Sequence, residues 1–184
     1  MEDKEKEYLD HFEQDLHTKL FQLLTSKQRI GERMPQMPDI EDLFQTLATS
    51  YLQDGVREFS AYPLVSLGWM MYIGMAVAHA WDADWENFCK QPDAYLSLRD
   101  KRGYDCMDEY IREEVLKLKG ADYDNEEKLV QECAGIVHSH LRHERIEPST
   151  PRAFHAYVRC LRQLYLHGAA TELHRIGYKM MKID

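Results

Sequence analysis

The sequence predicts an all-α fold, a single-domain bundle of about six or seven helices around a central apolar helix at about residues 63–81. Residues 61–81, AYPLVSLGWMMYIGMAVAHAW, contain no Lys, Arg, Asp or Glu, although 30% of the chain is charged. The segments on either side repeat apolar residues at intervals of three and four, which is typical of helices with one buried face. No segment alternates apolar and polar residues over a length that would indicate a strand.

The uncharged segment is long enough for either a central bundle helix or a membrane span. A helix of about 20 residues is about 30 Å long, which matches both a small domain and the hydrocarbon core of a bilayer. Glycine, proline, serine and histidine within the segment weaken the membrane interpretation, as does the lack of a flanking basic cluster. Amphipathic neighbours favour a bundle, because they can cover an apolar helix on every side. A single membrane span at residues 61–81 is kept as the minor alternative.

The first two helices are predicted at about residues 3–26 and 39–55, separated by a loop at residues 27–38. The apolar face of the first helix consists of Leu9, Phe12, Leu16, Leu20, Leu23 and Leu24. The loop contains a glycine and two prolines, which interrupt helices. In the second helix we expect Asp39 to cap the N-terminus and Gly55 to close the C-terminus.

The central helix is expected to begin after Ser60 as its cap. Pro63 then occupies the first turn, where a missing N–H costs little. A short helix is predicted within residues 92–102, and it ends at a turn near Gly103.

Two further helices are predicted before the last one. The first begins at Asp105 and ends at a turn near residues 120–124. Asp124-x-x-Glu127 resembles a capping box at the start of the second. That helix continues to a turn at residues 145–150.

The last helix has the clearest start signal in the chain. Thr150 is a good capping residue, and Pro151 suits the first helical position. Helical spacing then continues to Met180. Gly168 either breaks this helix into two or allows another helix to approach closely, and the sequence leaves both possibilities open.

Composition limits the classes of partner and the compartment. The 184 residues carry a formal net charge of −9, which argues against nucleic acid and against an anionic membrane surface as the main partner. The acidic, polar N-terminus lacks the pattern of a signal peptide. The four cysteines are far apart and form no CxxC motif, so we expect free thiols in a reducing cytoplasm and neither disulfides nor a zinc site.

Four residues are candidate ligands for a divalent transition metal. His140 and Glu144 are four apart and share one side of a helix, while His79 and Asp82 end the central helix. An imidazole and a carboxylate from each helix would suit such an ion. The alternative interpretation is that His140 and Glu144 are solvated or ion-paired.

A basic stripe is the candidate anion-binding site in this acidic chain. Arg152, His155, Arg159 and Arg162 project onto one side of the last helix. Arginine donates hydrogen bonds in a planar fork that matches phosphate or carboxylate. The alternative is an ordinary polar face that pairs with acidic helices elsewhere in the protein.

Two tryptophans are the candidate partner surface. Trp81 and Trp85 are four apart on one helix face, and Trp85 lies among Asp82, Asp84 and Glu86. An aromatic side chain among acidic residues is expected to be partly exposed, although core packing is the ordinary role of tryptophan.

No motif of an enzyme stands out in the sequence. It contains no glycine-rich phosphate-binding loop, no GxSxG and no HExxH. We therefore expect a non-enzymatic helical module that binds protein, with a homodimer as its most concrete form. The alternative is a bundle that binds a metal or a small anion, possibly as an enzyme.

Overall fold

The computed structural model describes residues 2–178, and within them it contains seven α-helices and no strand. The helices are α1 (Asp3–Ser26), α2 (Pro38–Ala61), α3 (Pro63–Cys89), α4 (Ala94–Arg99), α5 (Met107–Tyr110), α6 (Ala121–His143) and α7 (Pro151–Arg175). Helix α5 continues directly into a π-helical segment, Ile111–Val115. The all-α prediction is confirmed. The last helix ends at Arg175, with Ile176 as its C-cap, so its expected continuation to Met180 is wrong; Met180 itself lies outside the described residues.

Helix α3 is the central helix of the bundle, as predicted. Every residue in Ser66–Ala78 except Trp69 is buried. The helix packs most extensively against α7, and it also contacts α2, α6 and the π-helical segment. By length and composition α3 could cross a bilayer, but 67% of its most apolar 18-residue window is buried inside the protein. Neighbouring helices thus cover the uncharged segment in the way that the bundle interpretation requires.

Helices α3 and α7 approach each other closely at two glycines. A Cβ atom on Gly74 would lie 2.1 Å from the carbonyl oxygen of Tyr165. A Cβ atom on Gly168 would lie 2.2 Å from the carbonyl oxygen of Met71. Helix α7 runs through Gly168 without interruption. The close approach is therefore the role of this glycine, and it does not break the last helix.

The predicted start of α7 is confirmed, whereas several other predicted helix ends are wrong. The hydroxyl of Thr150 accepts a hydrogen bond from the backbone N–H of Ala153 at 3.1 Å. The predictions that fail are the Asp39 cap, the Gly55 terminus, the Ser60 cap and the Asp124–Glu127 capping box. Helix α2 begins one residue early, at Pro38, and continues to Ala61, so that Tyr62 alone separates it from α3.

These helix ends differ because packing overrides the local signals. A Cβ atom on Gly55 would lie 2.4 Å from the ring of Tyr51 and 2.8 Å from the hydroxyl of Tyr157, so this glycine serves packing inside the helix. Asp124 lies one turn inside α6, because Gly120, with φ of +58°, already provides the sharp turn before that helix.

The helix predicted to end near residue 120 instead changes to a π-helix at Ile111–Val115. Arg112 in this segment is 2% exposed, and its guanidinium donates to the carboxylate of Asp108 at 2.8 Å. The same guanidinium lies 4.1 Å from the ring centroid of Tyr123 and 5.4 Å from that of Tyr72. The segment therefore buries a charged side chain between two aromatic rings, together with its carboxylate partner. The spacing of apolar residues in the sequence does not predict this arrangement.

Candidate functional site

An apolar groove lies where the end of α2 and the start of α3 meet the start of α7. We call it the α2–α7 groove, and its volume is about 860 Å³. Its lining includes Val56, Phe59, Pro63, His138, Thr150, Phe154, His155 and Tyr157. Most of this lining is aliphatic or aromatic, with two imidazoles and a few hydroxyls at its polar positions. Such a surface suits an apolar partner.

The exposed large apolar side chains of residues 2–178 all lie at or beside this groove. They are Val56 (43% exposed), Tyr62 (64%), Leu64 (45%) and Phe154 (45%). Val56 and Phe154 line the groove, and Tyr62 and Leu64 flank its lining residue Pro63. Single exposed apolar residues are ordinary, whereas a cluster of them marks an interaction surface.

The short connection between α2 and α3 explains why apolar side chains project here. Tyr62 is the only residue between the two helices, and its backbone angles, φ of −135° and ψ of 76°, are not helical. The helical path therefore breaks at this one residue, and the exposed side chains of Tyr62 and Leu64 lie at the corner between the helices. On the other side of the groove, the Thr150 cap fixes the first turn of α7, which carries Phe154.

A hydrogen-bond network holds the floor of the groove. The hydroxyl of Ser66 donates to the carbonyl oxygen of Gly55 at 2.7 Å, so it accepts from the hydroxyl of Tyr157 at 2.6 Å. The Tyr157 ring also packs on Phe59, with ring centroids 4.9 Å apart. Burial raises the pKa of the Tyr157 hydroxyl, which stays protonated as this donor. The groove is therefore a preformed feature of three helices.

The arginines of the basic stripe pair with helix α1. Arg159 donates to Glu13 and lies 2.9 Å from Asp10, while Arg162 donates to Glu13 at 2.8 Å. Arg152 lies 3.5 Å from Glu5. This arrangement corresponds to the alternative interpretation, a polar face that pairs with an acidic helix. The fourth member, His155, is exposed and lines the α2–α7 groove.

Burial alone would raise the pKa of Glu13, but hydrogen bonds from Arg159, Gln163 and Arg162 hold it below its ordinary value. The carboxylate is therefore ionised at neutral pH and neutralises the centre of the stripe.

The structure does not gather the four candidate metal ligands into one site. His79 pairs through Nδ1 with Glu172 Oε1 of α7 at 3.0 Å. His140 donates from Nε2 to the carbonyl oxygen of Phe12 at 3.1 Å, on α1.

The two carboxylates among the candidate metal ligands do not meet at a common site either. Glu144 accepts from the hydroxyl of Tyr8 at 2.7 Å, and Asp82 is exposed. Within residues 2–178, no three His, Cys, Asp or Glu side chains form a group that could hold a metal ion. His79 and His140 are instead each hydrogen-bonded to another group of the protein.

Trp81 and Trp85 lie near the end of α3, at the opposite end of that helix from the α2–α7 groove. Both are partly buried against the core. Trp81 packs edge-on against Tyr178 with ring centroids 4.9 Å apart, and Trp85 stacks on Phe88 at 5.8 Å. About 20 residues of helix, or roughly 30 Å, separate them from Pro63. The backbone leaves helical geometry at Asp84, with φ of −164° and ψ of 67°, so the single helix face predicted for the two tryptophans is interrupted between them.

Of the groove lining, sequence reasoning named His155, as part of the basic stripe, but it missed the exposed apolar residues. Phe154 keeps the same helical spacing as the core residues that follow it, and Leu64 belongs to the uncharged segment. The only sequence signal was the position of Pro63 and Pro151, which start two helices beside these side chains.

The geometry of the α2–α7 groove is thus the main guide to function. Comparisons of this chain with protein-family models, with curated proteins and with solved structures found no match.

Proposed function

We propose that this chain is a non-enzymatic helical interaction module that self-associates through the α2–α7 groove. One observation carries the proposal: of the four exposed large apolar side chains in the described residues, two line one groove and the other two flank its lining residue Pro63. Removing this apolar surface from water would be favourable by roughly 25 cal/mol per Å² before the costs of association. The net charge of −9 and the paired arginines favour protein as the partner over nucleic acid.

A second copy of the chain is the partner that this surface fits. The groove is concave, and the exposed residues Tyr62 and Leu64 flank its lining residue Pro63. A twofold axis would set the corner of each copy against the groove of the other, because the same patch is used on both sides of such an interface. A cytoplasmic location accompanies this proposal, in keeping with the free cysteines of the described residues.

Sedimentation velocity at micromolar concentrations tests self-association. We expect a dimer for the wild-type chain. Replacing both exposed rings, Tyr62→Ser with Phe154→Ser, should raise the dissociation constant at least 30-fold, since buried aromatic anchors are typically worth about 2 kcal/mol or more each. Both side chains are exposed in the single chain, so circular dichroism should show an unchanged helical content.

Trp85→Ser is the matched control, because it removes a partly buried ring at the other end of α3. It should leave the dissociation constant within about twofold of the wild-type value. A wild-type monomer with no co-purifying protein contradicts the proposal. Loss of the dimer in Trp85→Ser alone would assign self-association to the tryptophan surface instead.

A further inference from the structure

Two histidines from α1 and α7 meet beside a second cavity. The rings of His17 and His167 have centroids 5.0 Å apart and planes inclined by 52°. His17 lines a cavity of about 390 Å³ that is open to solvent. His167 is 0% exposed, and its Nε2 has no hydrogen-bond partner among residues 2–178. A buried polar atom without a partner is costly and requires an explanation.

The hydrogen bonds of His167 determine which nitrogen carries its proton. Nδ1 lies 2.7 Å from the backbone carbonyl oxygen of Gln163. A carbonyl oxygen only accepts, so Nδ1 carries the hydrogen and Nε2 of the neutral ring carries a lone pair. Burial, together with the neighbouring His17, lowers the pKa of His167 to about 4, so this lone pair is free at neutral pH.

The tautomer of His17 follows from the side chain of the same glutamine. The amide Nε2 of Gln163 donates to Glu13 at 2.8 Å, which fixes Oε1 of Gln163 as the atom 3.3 Å from Nδ1 of His17. Because that oxygen only accepts, His17 also carries its hydrogen on Nδ1 and a lone pair on Nε2. One residue, Gln163, thus orients both imidazoles.

We propose that His17 and His167 bind a monovalent copper ion through their Nε2 atoms. Metal-bound histidines usually donate their other N–H to a carbonyl or carboxylate group, and both rings have this second contact. Metal–nitrogen bonds of about 2 Å place two such nitrogens at most about 4 Å apart. Ring centroids 5.0 Å apart are compatible with this spacing.

The charges around the pair favour a monovalent over a divalent ion. Glu13, which lines the same cavity as His17, already accepts from Arg159, Arg162 and Gln163. It therefore has little capacity to neutralise a second positive charge, and the solvation cost of burying an ion rises steeply with its charge. Imidazole binds copper, and thioether sulfur selects the monovalent state.

Two methionines, Met34 and Met37, line the same cavity as His17. Their thioether sulfurs are soft ligands of the kind that monovalent copper prefers.

Anaerobic titration of the full chain with monovalent copper, against a chromophoric chelator, tests the proposal. We expect one copper ion per chain, with nitrogen ligands in the X-ray absorption spectrum. His17→Gln and His167→Gln should each weaken binding at least tenfold. His17 is only partly buried, so His17→Gln keeps the test decisive if His167→Gln fails to fold.

His11→Gln is the control, because His11 is exposed on the same helix and bonds only within it. It should leave copper affinity unchanged. Copper that remains bound with equal affinity in the His17→Gln, His167→Gln double variant would lie on thiols such as exposed Cys89, and it would overturn the proposal. Failure to retain copper, or equal affinity for zinc, would overturn it too. None of these results depends on whether the chain forms dimers.

Discussion

At the scale of single residues, two missing side chains set the separation of the two most extensively packed helices. Gly74 of α3 faces the backbone of α7, and Gly168 of α7 faces the backbone of α3. Helices with larger side chains at their contact usually lie about 8–10 Å apart. Glycine costs about 1 kcal/mol relative to alanine in a helix interior, and close backbone packing offsets that cost here.

Gly168→Ala should lower the free energy of unfolding by about 2–3 kcal/mol, because its Cβ would lie 2.2 Å from a carbonyl oxygen and must force α3 and α7 apart. Urea unfolding followed by circular dichroism measures this change. Gly135→Ala is the matched control. It also lies inside a helix, but a Cβ there has nothing within 4 Å, so we expect stabilisation by about 0.5–1 kcal/mol. Equal effects of the two substitutions would show that the close approach does not matter.

At the scale of helices, the sequence predicted which segments are helical better than it predicted where each helix begins and ends. Apolar spacing identified every long helix, because burial of one face is the main source of helix stability in proteins. Caps such as Asp39 are weak local signals, each worth about 1 kcal/mol. Burial of Met37, which is 5% exposed, outweighs that signal and moves the start of α2 to Pro38.

The candidate functional sites were harder to predict from the sequence than the helices, because they also depend on how distant segments pack. Phe154 and Leu161 lie on the same face of α7, yet Phe154 is 45% exposed and Leu161 is buried. Periodicity tells which side of a helix faces its neighbours but not where those neighbours end. The partner of a long polar side chain is equally non-local, as with Arg159 and Glu13, which are 146 positions apart.

The contact between α1 and α7 is the polar part of this helical packing. Buried Glu13 and Gln163 form a hydrogen-bonded cluster with two arginines, and the His17–His167 pair lies next to them. Because the pKa of His167 is lowered in the folded state, acid should favour the unfolded state. The unfolded ring takes up a proton near pH 6.5, whereas the buried ring resists protonation until about pH 4.

The free energy of unfolding of the metal-free chain should therefore fall as the pH decreases from 6.5 to 4, with about 3 kcal/mol of the loss due to His167. Glu13 adds a loss at still lower pH, where its carboxylate is protonated. Urea unfolding at a series of pH values measures this slope. His167→Gln should flatten the pH 6.5 to 4 region, and an unchanged slope in that variant would contradict the assignment.

At the scale of the whole molecule, buried carboxylates around an uncharged centre are paired with cationic or imidazole side chains. Glu126 of α6 accepts from Arg29 at 2.6 Å, and Glu172 of α7 accepts from Arg175 at 2.7 Å and pairs with His79 of α3. Such pairs avoid the large cost of an isolated buried charge. The apolar side chains of α3 are covered by protein along most of its length, and the large apolar side chains that are exposed within residues 2–178 lie at the α2–α7 corner.

This coverage favours the bundle over the membrane span. If neighbouring helices bury α3, the chain should remain in the aqueous fraction after cell lysis and high-speed centrifugation without detergent. Trp69, whose ring N–H donates to the carbonyl oxygen of Tyr104 at 2.8 Å, should then be only partly accessible to an aqueous quencher in the folded chain and fully accessible in urea. Recovery from the membrane pellet only with detergent would contradict the bundle interpretation. It would mean that lipid replaces α7 as the environment of α3, and the close glycine contacts between those two helices would then have no role.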